Sequence, residues 1–576
     1  MLNQPTGYPS VDKPWLQYYS EDVLSKEPFK GSMYEYMREA TKDTGHKYCL
    51  NFFGRRISYQ QFYKKIEDTA AALTALGVKR GDVVSIFILT MPENYYLLYA
   101  VNMLGAICNY VAVNTSLDEI RKRVLSTESK YVFTVNLVEK KVVEAVGGEA
   151  DIKIISIPLS TSMPLLISLL VNAKSKKKPS DRVITWRQFL GKGKGVACKA
   201  EPGDCDAPAI IEYTSGTTGE SKGVLHPNRT ANQIAFNYAN LGELLVFDKR
   251  DRFLNLLPPF IAYGIFVGTH MAICLGLEVC LCPNPDPQAA VKDFLKYKPN
   301  HFTVGPPHIN ALMENRKVQG MNLSFLMTAG YGGDSVSQSW MEEANEFLKS
   351  HGAPNKVHAG YGMTEVAGTF CAENHKVDEM IPFPSNNVMI LDVESGEERR
   401  IGEEGEVYLS GPTLMNEYYK NEEQTKEAIK VIDGCRWLKT GDLGYVTATG
   451  GLVISGRLKR IYYTIMDDGI AYRVYPMKTE KVIDSHEHVK SSAVVGIKDK
   501  ERGYLSYAML VLEDGADREK TIKEVRALCE QHLENSSWPC EYQVVDALPM
   551  TTAGKVDYKE IEKMAEEKGK NAERKK

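Results

Sequence analysis

Short apolar runs alternate with amphipathic stretches along residues 50–160, a pattern that indicates an α/β sheet covered by helices on both faces. The clearest predicted helix begins at a capping box formed by Ser58 and Gln61 and ends at Gly77. Its apolar face carries Phe62, Ile66, Ala70 and Leu73. A second helix is predicted from Pro92, and buried strands are predicted at residues 83–89, 108–113, 131–135 and 152–157.

The same alternation returns further along the chain and then changes character. Strands are predicted at residues 209–213, 301–304 and 326–329. From Gly405 the pattern becomes short strands separated by turns, and after Arg460 it becomes a compact α+β segment. Because the chain has 576 residues, two or more domains are expected.

Composition excludes several classes of protein. The hydrophobic content of 43% and charged content of 25% are ordinary for a soluble globular protein, and a net charge of -4 argues against nucleic acid as a partner. The eleven cysteines show no metal-ligand spacing, so reduced thiols are expected. The N-terminus lacks a signal-peptide pattern, and no apolar stretch is long enough to span a bilayer. A cytoplasmic protein is expected.

Residues 163–178 form a local exception, because an apolar stretch is followed by a cluster of lysines. This pattern predicts either peripheral contact with anionic lipid or an ordinary surface helix with a solvated basic end. The cluster consists of Lys174, Lys176, Lys177 and Lys178.

A loop rich in glycine and hydroxyl groups follows the predicted strand at 209–213. It contains Thr214, Ser215, Gly216, Thr217, Thr218 and Gly219, with Lys222 close behind. Such a loop can turn its N–H groups inward to hold an anion, although it could equally be an ordinary polar loop. Its glycine and lysine spacing does not match the GxxxxGK[ST] pattern of a P-loop.

The loop and four later motifs together resemble the adenylate-forming superfamily of AMP-dependent synthetases and ligases, and most closely its acyl-CoA synthetases and fatty-acid CoA ligases. The family loop reads YTSGTTGxPKGV, and this chain departs from it at Ser221 in place of proline. The later motifs are AGYGMTE at 359–365, TGDLG at 440–444, GRLKR at 456–460 and LPMTTAGKVD at 548–557.

The resemblance implies an α/β fold with a large N-terminal domain at 1–456 that includes a small β-barrel-like subdomain. It also implies a small, mobile α+β domain at 457–576, with a hinge near Lys459. The small domain is expected to rotate between two half-reactions, formation of an acyl-AMP and transfer of the acyl group to a thiol.

The resemblance also assigns roles to individual residues. The loop residues 214–219 and Lys222 bind the β- and γ-phosphates of ATP, Tyr361 stacks on adenine, and Asp442 accepts bonds from the ribose hydroxyls. Gly333 and Asp334 line the adenine and acyl pocket, and Arg457 reaches the ribose or phosphate. The expected catalytic residues are Thr364 at the α-phosphate, Glu365 as ligand of Mg²⁺, and Lys555 beside the reacting phosphorus. Outside this family context, each of these residues could be an ordinary turn, cap or surface residue.

Departures from the family pattern concern the acyl group and its acceptor. In the family resemblance, Ile261 occupies the position of a histidine found in many acyl-CoA synthetases, so the aromatic gate of the acyl pocket is expected to be Tyr263 or Phe260, or to be absent. Residues 258–264 contain no aspartate to pair with an ammonium group, so an amino-acid substrate is disfavoured. The 460–476 loop is longer than usual, and Lys478 stands where glutamate is common.

The sequence therefore predicts an enzyme that uses ATP, Mg²⁺ and coenzyme A to convert a carboxylic acid, preferably a fatty acid, into its CoA thioester. Two alternatives remain at this point. The acyl group could pass to the phosphopantetheine of a carrier protein, or the chain could be a non-catalytic module that binds an acyl nucleotide.

Overall fold

The computed structural model describes residues 5–174, 180–214, 221–241, 246–332, 336, 338–374, 377–551 and 555–573. Within these ranges the strands are β1 Tyr48–Phe52, β2 Arg55–Ser58, β3 Val83–Phe87, β4 Ile107–Tyr110, β5 Tyr131–Val135, β6 Lys153–Ile157, β7 Val183–Thr185, β8 Pro208–Tyr213, β9 Gly223–Pro227, β10 Arg252–Asn255, β11 Glu278–Leu281, β12 His301–Val304, β13 Thr328–Gly332, β14 Val357–Tyr361, β15 Cys371–Asn374, β16 Glu379–Pro382, β17 Asn387–Leu391, β18 Gly405–Ser410, β19 Glu417–Tyr418, β20 Ile429–Ile432, β21 Cys435–Val446, β22 Leu452–Arg457, β23 Tyr462–Ile465, β24 Ala471–Val474, β25 Val489–Asp499, β26 Gly503–Leu512 and β27 Glu541–Val544.

The α-helices connect and cover these strands. They are α1 Pro9–Asp12, α2 Glu21–Leu24, α3 Met33–Ala40, α4 Tyr59–Leu76, α5 Pro92–Met103, α6 Leu117–Ser126, α7 Glu139–Val146, α8 Leu165–Lys174, α9 Trp186–Lys192, α10 Asn228–Ala239, α11 Ala272–Cys274, α12 Pro287–Tyr297, α13 Pro306–Glu314, α14 Arg316–Gln319, α15 Gln338–Ser350, α16 Glu422–Ala428, α17 Pro476–Asp484, α18 Arg518–His532 and α19 Tyr558–Glu573. A π-helix at Tyr263–Met271 precedes α11.

Four sheets organise the described residues. Two large sheets have the strand orders β19-β9-β8-β4-β3-β5-β6-β7 and β16-β15-β14-β13-β12-β10-β11-β1-β2. A five-stranded antiparallel sheet follows, with the order β17-β18-β21-β20 and β22 paired to β21. The last sheet has the order β24-β23-β26-β25, with β27 paired to β26. The predicted fold class is therefore confirmed: a large N-terminal α/β part precedes a small C-terminal α+β part, and the antiparallel sheet occupies the region expected to be β-barrel-like.

The main core lies between the two large sheets and contains residues from both of them. Helix α5 runs through this core, and all twelve of its residues are buried. Such a helix needs apolar residues on all sides, and the sequence of α5 supplies them with tyrosine, leucine and valine. The C-terminal part has its own two apolar clusters, one on each face of its sheet.

The local sequence signals locate the elements well where the signals are strong. Helix α4 begins with the predicted capping box of Ser58 and Gln61, in which each side chain accepts a bond from the other residue's backbone N–H. It ends at Gly77, whose φ of 94° favours glycine. The predicted strand at 326–329 is displaced, because Leu326 closes a turn onto Leu323 and β13 begins only at Thr328.

All eleven cysteines are free thiols, as expected from their spacing. Within the part of the chain that the structure describes, no helix combines the length and the apolar character needed to cross a bilayer.

Glu212 is an unexpected buried carboxyl on β8, two residues before the phosphate-loop candidate begins at Thr214. Among the described residues, neither of its carboxyl oxygens has a hydrogen-bond partner. Burial raises the pKa of Glu212 well above its ordinary value. Tyr110 on β4 and His226 on β9 are also buried, with side-chain polar atoms that lack such partners. Burial lowers the pKa of His226 to about 3, so this histidine is neutral.

We predict that Glu212→Gln makes the protein increasingly more stable than the wild type as the pH rises. The folded protein holds the carboxyl protonated, whereas the unfolded chain loses that proton above its ordinary pKa. The contribution of Glu212 to stability therefore falls by up to about 1.4 kcal/mol per pH unit between the two pKa values. Glutamine does not titrate and lacks this loss.

The measurement is the melting temperature of both proteins between about pH 5 and pH 8. Glu423→Gln, at an exposed position on α16, is the matched control and should leave the difference from wild type unchanged across this range. A constant offset between Glu212→Gln and wild type would contradict the prediction.

Candidate active site

The phosphate-loop candidate is the tip of an antiparallel hairpin made by β8 and β9, which pair Tyr213 with Gly223. Three bonds close its neck. The Thr214 N–H donates to the Lys222 carbonyl at 3.0 Å, and the Lys222 N–H donates to the Thr214 hydroxyl oxygen at 3.1 Å. The Ser221 hydroxyl donates to the Thr214 carbonyl at 2.6 Å. Ser221 thus supplies a closing bond that the family's proline could not donate.

Tyr418 connects this hairpin to the turn that carries Glu365. The Lys222 ammonium lies 4.4 Å from the centre of the Tyr418 ring, within range of a cation–π contact. The Tyr418 hydroxyl donates to the Glu365 carboxylate at 2.8 Å. Burial, and then the charge of Glu365, raise the pKa of Tyr418, so its hydroxyl remains a donor. Thr364 shares the short 3₁₀ turn with Glu365, directly after β14.

Strand pairing fixes this arrangement. Tyr418 lies on the two-residue strand β19, which pairs antiparallel with β9 so that Tyr418 faces Val224. The Met415 N–H donates to the Glu365 carbonyl at 2.9 Å, which ties the same segment to the turn. Lys222 and Glu365 are 143 residues apart in sequence, and both contact Tyr418.

Asp442 is the centre of a second group of polar residues. It lies on β21 opposite Arg457 of β22, and its carboxylate is 2.8 Å from the Arg457 Nε. The Tyr361 hydroxyl donates to the other carboxylate oxygen at 2.7 Å. Asp442 is buried, and that burial raises its pKa, whereas Arg457 and Tyr361 oppose the rise.

Lys555, from the C-terminal part of the chain, belongs to the same group. It lies close enough to Asp442 for its charge to lower the pKa of that carboxyl. Its backbone is held in a small loop, because the Thr551 N–H donates to the Lys555 carbonyl at 2.7 Å and the Lys555 N–H donates to the Thr551 hydroxyl oxygen at 3.2 Å. The structure therefore brings together Tyr361, Asp442, Arg457 and Lys555, all expected from the sequence to be site residues.

Lys459 lies between two anchored arginines, in a 3₁₀ turn at Leu458–Arg460. Arg457, before it, is held by Asp442. Arg460, after it, bonds to Glu480 and to the Val494 carbonyl of the C-terminal part, and it lies 3.6 Å from the centre of the Tyr558 ring. Lys459 itself is exposed.

Two further ion pairs join the C-terminal part to the antiparallel sheet region. Arg473 on β24 pairs with Glu394 at 3.0 Å, and Lys478 on α17 pairs with Glu404 at 3.7 Å. The lysine at 478, where the family commonly has glutamate, thus has an acidic partner in this chain.

Tyr263 and Phe260, the two aromatic candidates for the acyl gate, both pack against the main core. A Cβ added to Gly332 would lie 4.0 Å from the Tyr263 ring, and one added to Gly368 would lie 2.7 Å from the Tyr263 backbone nitrogen. Tyr263 therefore stands beside the end of β13 and the segment that follows Glu365.

Several predicted site residues lie outside the described residues: Ser215, Gly216, Thr217, Thr218, Gly219, Gly333 and Asp334. These residues belong to two segments of the sequence. Thr214 and Lys222 define the neck of the first, and Gly332 ends the strand that leads into the second.

Tyr418 is the site residue that sequence reasoning missed. It stands in the run NEYYK, which carries no pattern that separates it from Tyr419 beside it. Only the pairing of β19 with β9 turns Tyr418 toward Lys222 and Glu365. No sequence signal considered above could have identified it.

The arrangement suits a nucleotide that carries phosphates. An ionised carboxylate has about four lone-pair sites, and Asp442 uses one on each oxygen, which leaves capacity for two hydroxyl donors such as those of a ribose. Glu365 offers a carboxylate beside the Thr364 hydroxyl, a donor set that fits Mg²⁺ shared with phosphate oxygens. Lys222, at the base of the hairpin, supplies a positive charge for an anion.

Comparison with known proteins also indicates a nucleotide-binding enzyme. The model of the family described as AMP-binding enzyme matches residues 37–419, and that of the AMP-binding enzyme C-terminal domain matches residues 478–555. Among curated proteins, the long-chain-fatty-acid–CoA ligase of Bacillus subtilis (strain 168) is 26% identical over 562 residues, covering 94% of this chain and 96% of the relative.

Solved structures with the same fold include enzymes that form different products. The anthranilate CoA ligase AuaEII in complex with anthranoyl-AMP has a TM-score of 0.79 at 19% identity, with 95% of this chain and 99% of that chain covered. The amide bond synthetase McbA from Marinactinospora thermotolerans has a TM-score of 0.77 at 23% identity, with 92% and 99% covered. These likenesses establish the fold of the chain.

We predict that Tyr418→Phe lowers the free energy of unfolding by about 1.5–3 kcal/mol, the usual worth of a hydrogen bond to a charged group. The variant keeps the ring beside Lys222 but leaves the buried Glu365 carboxylate without that donor. Denaturant unfolding measures the loss. Tyr419→Phe, at the residue that follows β19, is the control and should change the free energy of unfolding by less than about 0.5 kcal/mol. Equal effects of the two substitutions would show that the bond to Glu365 contributes nothing.

Proposed function

This chain belongs to the family of AMP-binding enzymes, and from that premise we propose that it activates a carboxylic acid in two steps. In the first step the acid attacks the α-phosphorus of ATP, forming an acyl-AMP and releasing pyrophosphate. In the second step the thiol of coenzyme A attacks the acyl carbon, forming a thioester and releasing AMP. The adenylate-forming acid–CoA ligases in this family support the reaction class.

One observation carries the proposal: residues of three motifs come together at a buried carboxylate that belongs to a fourth. Tyr361 and Arg457 each contact one oxygen of Asp442, and Lys555 from the C-terminal part lies close enough for its charge to lower the pKa of that carboxyl. A module that only binds a nucleotide has no need of a cation brought in from the C-terminal part. An enzyme that must neutralise charge at a phosphorus next to a ribose does need one.

The residues divide the first step between them. Asp442 positions the ribose, and Tyr361 provides a ring for the adenine. Thr214 and Lys222, with the loop residues 215–219, hold the β- and γ-phosphates, which leave as pyrophosphate. Thr364 donates to the α-phosphate.

Lys555 brings its ammonium to the α-phosphate oxygen and the attacking carboxylate. Opposite charges about 3 Å apart at an effective dielectric constant near 20 gain about 5 kcal/mol. If that gain is realised mainly in the transition state, it accelerates the step by several powers of ten. Lys555 is therefore the residue whose loss should affect the first step most.

Glu365 would hold Mg²⁺, which supplies charge neutralisation at the phosphates when bound. The chain's own contribution is to orient the carboxylate: the Tyr418 hydroxyl fixes one of its oxygens, and the short turn places it beside Thr364. Gly333 and Asp334, directly after β13, are proposed to line the wall shared by the adenine and the acyl group.

The second step is proposed to use rotation of the C-terminal domain, residues 457–576, against residues 1–456. The anchoring of Arg457 on one side and Arg460 on the other supports a hinge at Lys459. Rotation would withdraw Lys555 from Asp442 and leave room for the thiol.

A fatty acid is the substrate class that we favour. The long-chain-fatty-acid–CoA ligase relative supports it at 26% identity. The π-helix that begins at Tyr263 is buried from Gly264 onward, and its Ile265, Phe266 and Val267 belong to the apolar main core, so the surroundings of Tyr263 suit an alkyl chain better than a charged group. The first turn of this π-helix contains no charged residue that could pair with the ammonium group of an amino acid.

A screen of carboxylic acids tests the proposal. Purified protein with ATP and Mg²⁺ is given fatty acids of increasing length, aryl acids and amino acids, with and without CoA, and AMP release is measured. We expect AMP release that depends on both a fatty acid and CoA. Release without CoA but with a phosphopantetheine carrier would favour the carrier-protein alternative. No AMP with any acid, despite ATP binding, would favour a binding module.

We predict that Lys555→Ala reduces carboxylate-dependent exchange between ATP and pyrophosphate by about a thousandfold or more, the loss that corresponds to about 4–5 kcal/mol. ATP affinity should change by less than about threefold, because the phosphates are held mainly by the loop and Lys222. Lys559→Ala, at an exposed position on α19, is the matched control. Exchange that survives in Lys555→Ala would remove this lysine from the first step.

A further inference from the structure

Helix α8 presents an apolar face to solvent. Leu165, Leu166, Leu169 and Leu170 are exposed by 75%, 76%, 58% and 66% respectively. At 100° per residue these four positions occupy an arc of about 140° on one side of the helix. Large exposed apolar residues elsewhere among the described residues include isolated examples, such as Leu24 at 43% and Leu125 at 39%. Four neighbouring leucines with this exposure form a contiguous apolar patch, and such patches are typical of surfaces that bind another molecule.

The opposite face of α8 is held by the protein. Ile167 and Val171 are partly buried and pack against the main core. Met163, just before the helix, is only 4% exposed and belongs to that core. The sequence suggested residues 163–178 as a segment that could contact a membrane. Within the described part of that segment, the apolar side chains that face solvent are the four leucines of α8. Because the inner face anchors the helix, the leucines form a fixed surface and are not a frayed end.

The sequence around this face is entirely basic in its charges. Between Met163 and Ser180 there is no acidic residue and there are four lysines, at positions 174, 176, 177 and 178. The lysines follow the leucines in sequence, at and beyond the carboxyl end of the helix. This separation of leucine face and lysine run matches an interfacial helix, in which leucines enter the acyl boundary and lysines meet anionic headgroups.

We propose that the leucine face of α8 binds the surface of a lipid bilayer that contains anionic lipids. The four leucines enter the interface between headgroups and acyl chains, and the lysines that follow them add attraction to the negative surface. The helix lies on the bilayer, since its inner face remains packed on the core. This binding is independent of the proposed reaction and does not need a fatty acid as substrate.

A second copy of this chain is the main competing occupant of an apolar face. Charge complementarity favours the bilayer, because two copies meeting at α8 would bring two runs of four lysines close together without acidic residues from the same segment to offset them. An anionic bilayer offers the opposite charge to the same run.

The test uses the full-length protein and vesicles of defined composition. Flotation with phosphatidylcholine vesicles and with equimolar phosphatidylcholine and phosphatidylglycerol measures the partition coefficient. We expect binding to the mixed vesicles at low salt, with about tenfold weaker binding to phosphatidylcholine alone and a clear loss in high salt. Failure of the wild-type protein to bind the mixed vesicles would overturn the proposal.

Two variants separate the contributions. Replacing the four leucines by serine (Leu165→Ser, Leu166→Ser, Leu169→Ser and Leu170→Ser) should lower partition to mixed vesicles at least about tenfold. The melting temperature should hardly change, because these side chains face solvent. The double change Leu24→Ser and Leu125→Ser, at exposed isolated leucines, is the matched control and should bind as the wild type does.

The charge variant replaces the four lysines by glutamine: Lys174→Gln, Lys176→Gln, Lys177→Gln and Lys178→Gln. It should lose the preference for phosphatidylglycerol while keeping the weaker binding to phosphatidylcholine. Sedimentation of the wild type without vesicles tests the competing occupant. A dimer that the leucine variant dissociates, together with unchanged vesicle binding in that variant, would show that α8 binds a second copy and would overturn the proposal.

Discussion

The buried carboxylate of Asp442 is the constraint on which the candidate site depends. A charge removed from water costs free energy unless opposite charges and donors surround it. Here Tyr361 of β14 and Arg457 of β22 each contact one carboxylate oxygen, and the charge of Lys555 from the C-terminal segment also favours the ionised form. Burial raises the pKa of Asp442, and these partners offset the rise. The stability of the buried charge therefore depends on how these segments of the chain pack around Asp442.

Tyr418 stabilises two further charges of the candidate site, those of Lys222 and Glu365, which are proposed to lie on either side of the phosphates. A lysine and a glutamate at the two sides of a phosphate site could pair with each other and block it. Tyr418 stands between them instead, with its ring facing Lys222 and its hydroxyl on Glu365. Each charge is stabilised without neutralising the other. Since Tyr418 belongs to a strand that pairs with β9, the hairpin and the Glu365 turn are held at a fixed separation.

The sequence predicts those parts of the molecule that short-range chemistry determines. The start and end of α4 follow from Ser58, Gln61 and Gly77, because capping and a positive φ are local. The convergence of Tyr361, Asp442 and Lys555 was predicted only through the motif resemblance, since it depends on pairings between distant strands. The same dependence hid Tyr418.

Residues whose role is set by burial were also beyond prediction. Glu212 reads as an ordinary charged residue within an apolar strand, and only the packed structure shows that its carboxyl is enclosed without a partner. The division of α8 into a core face and a solvent face is another example, because nearly every residue in its first half is apolar and periodicity cannot orient it. Packing of Ile167 and Val171 decides the orientation.

The distribution of anchors around Lys459 bears on how the two parts of the chain could move. Arg457 is bound to the buried Asp442, and Arg460 contacts Glu480 and Tyr558, so the proposed hinge would bend in the turn between these two arginines. Among the described residues, such a rotation would also break the ion pairs of Arg473 with Glu394 and of Lys478 with Glu404.

Exposed ion pairs of this kind contribute about 0–1 kcal/mol each, because water replaces the lost partner. Their rupture would therefore cost little, so these two pairs are a small obstacle to the proposed rotation.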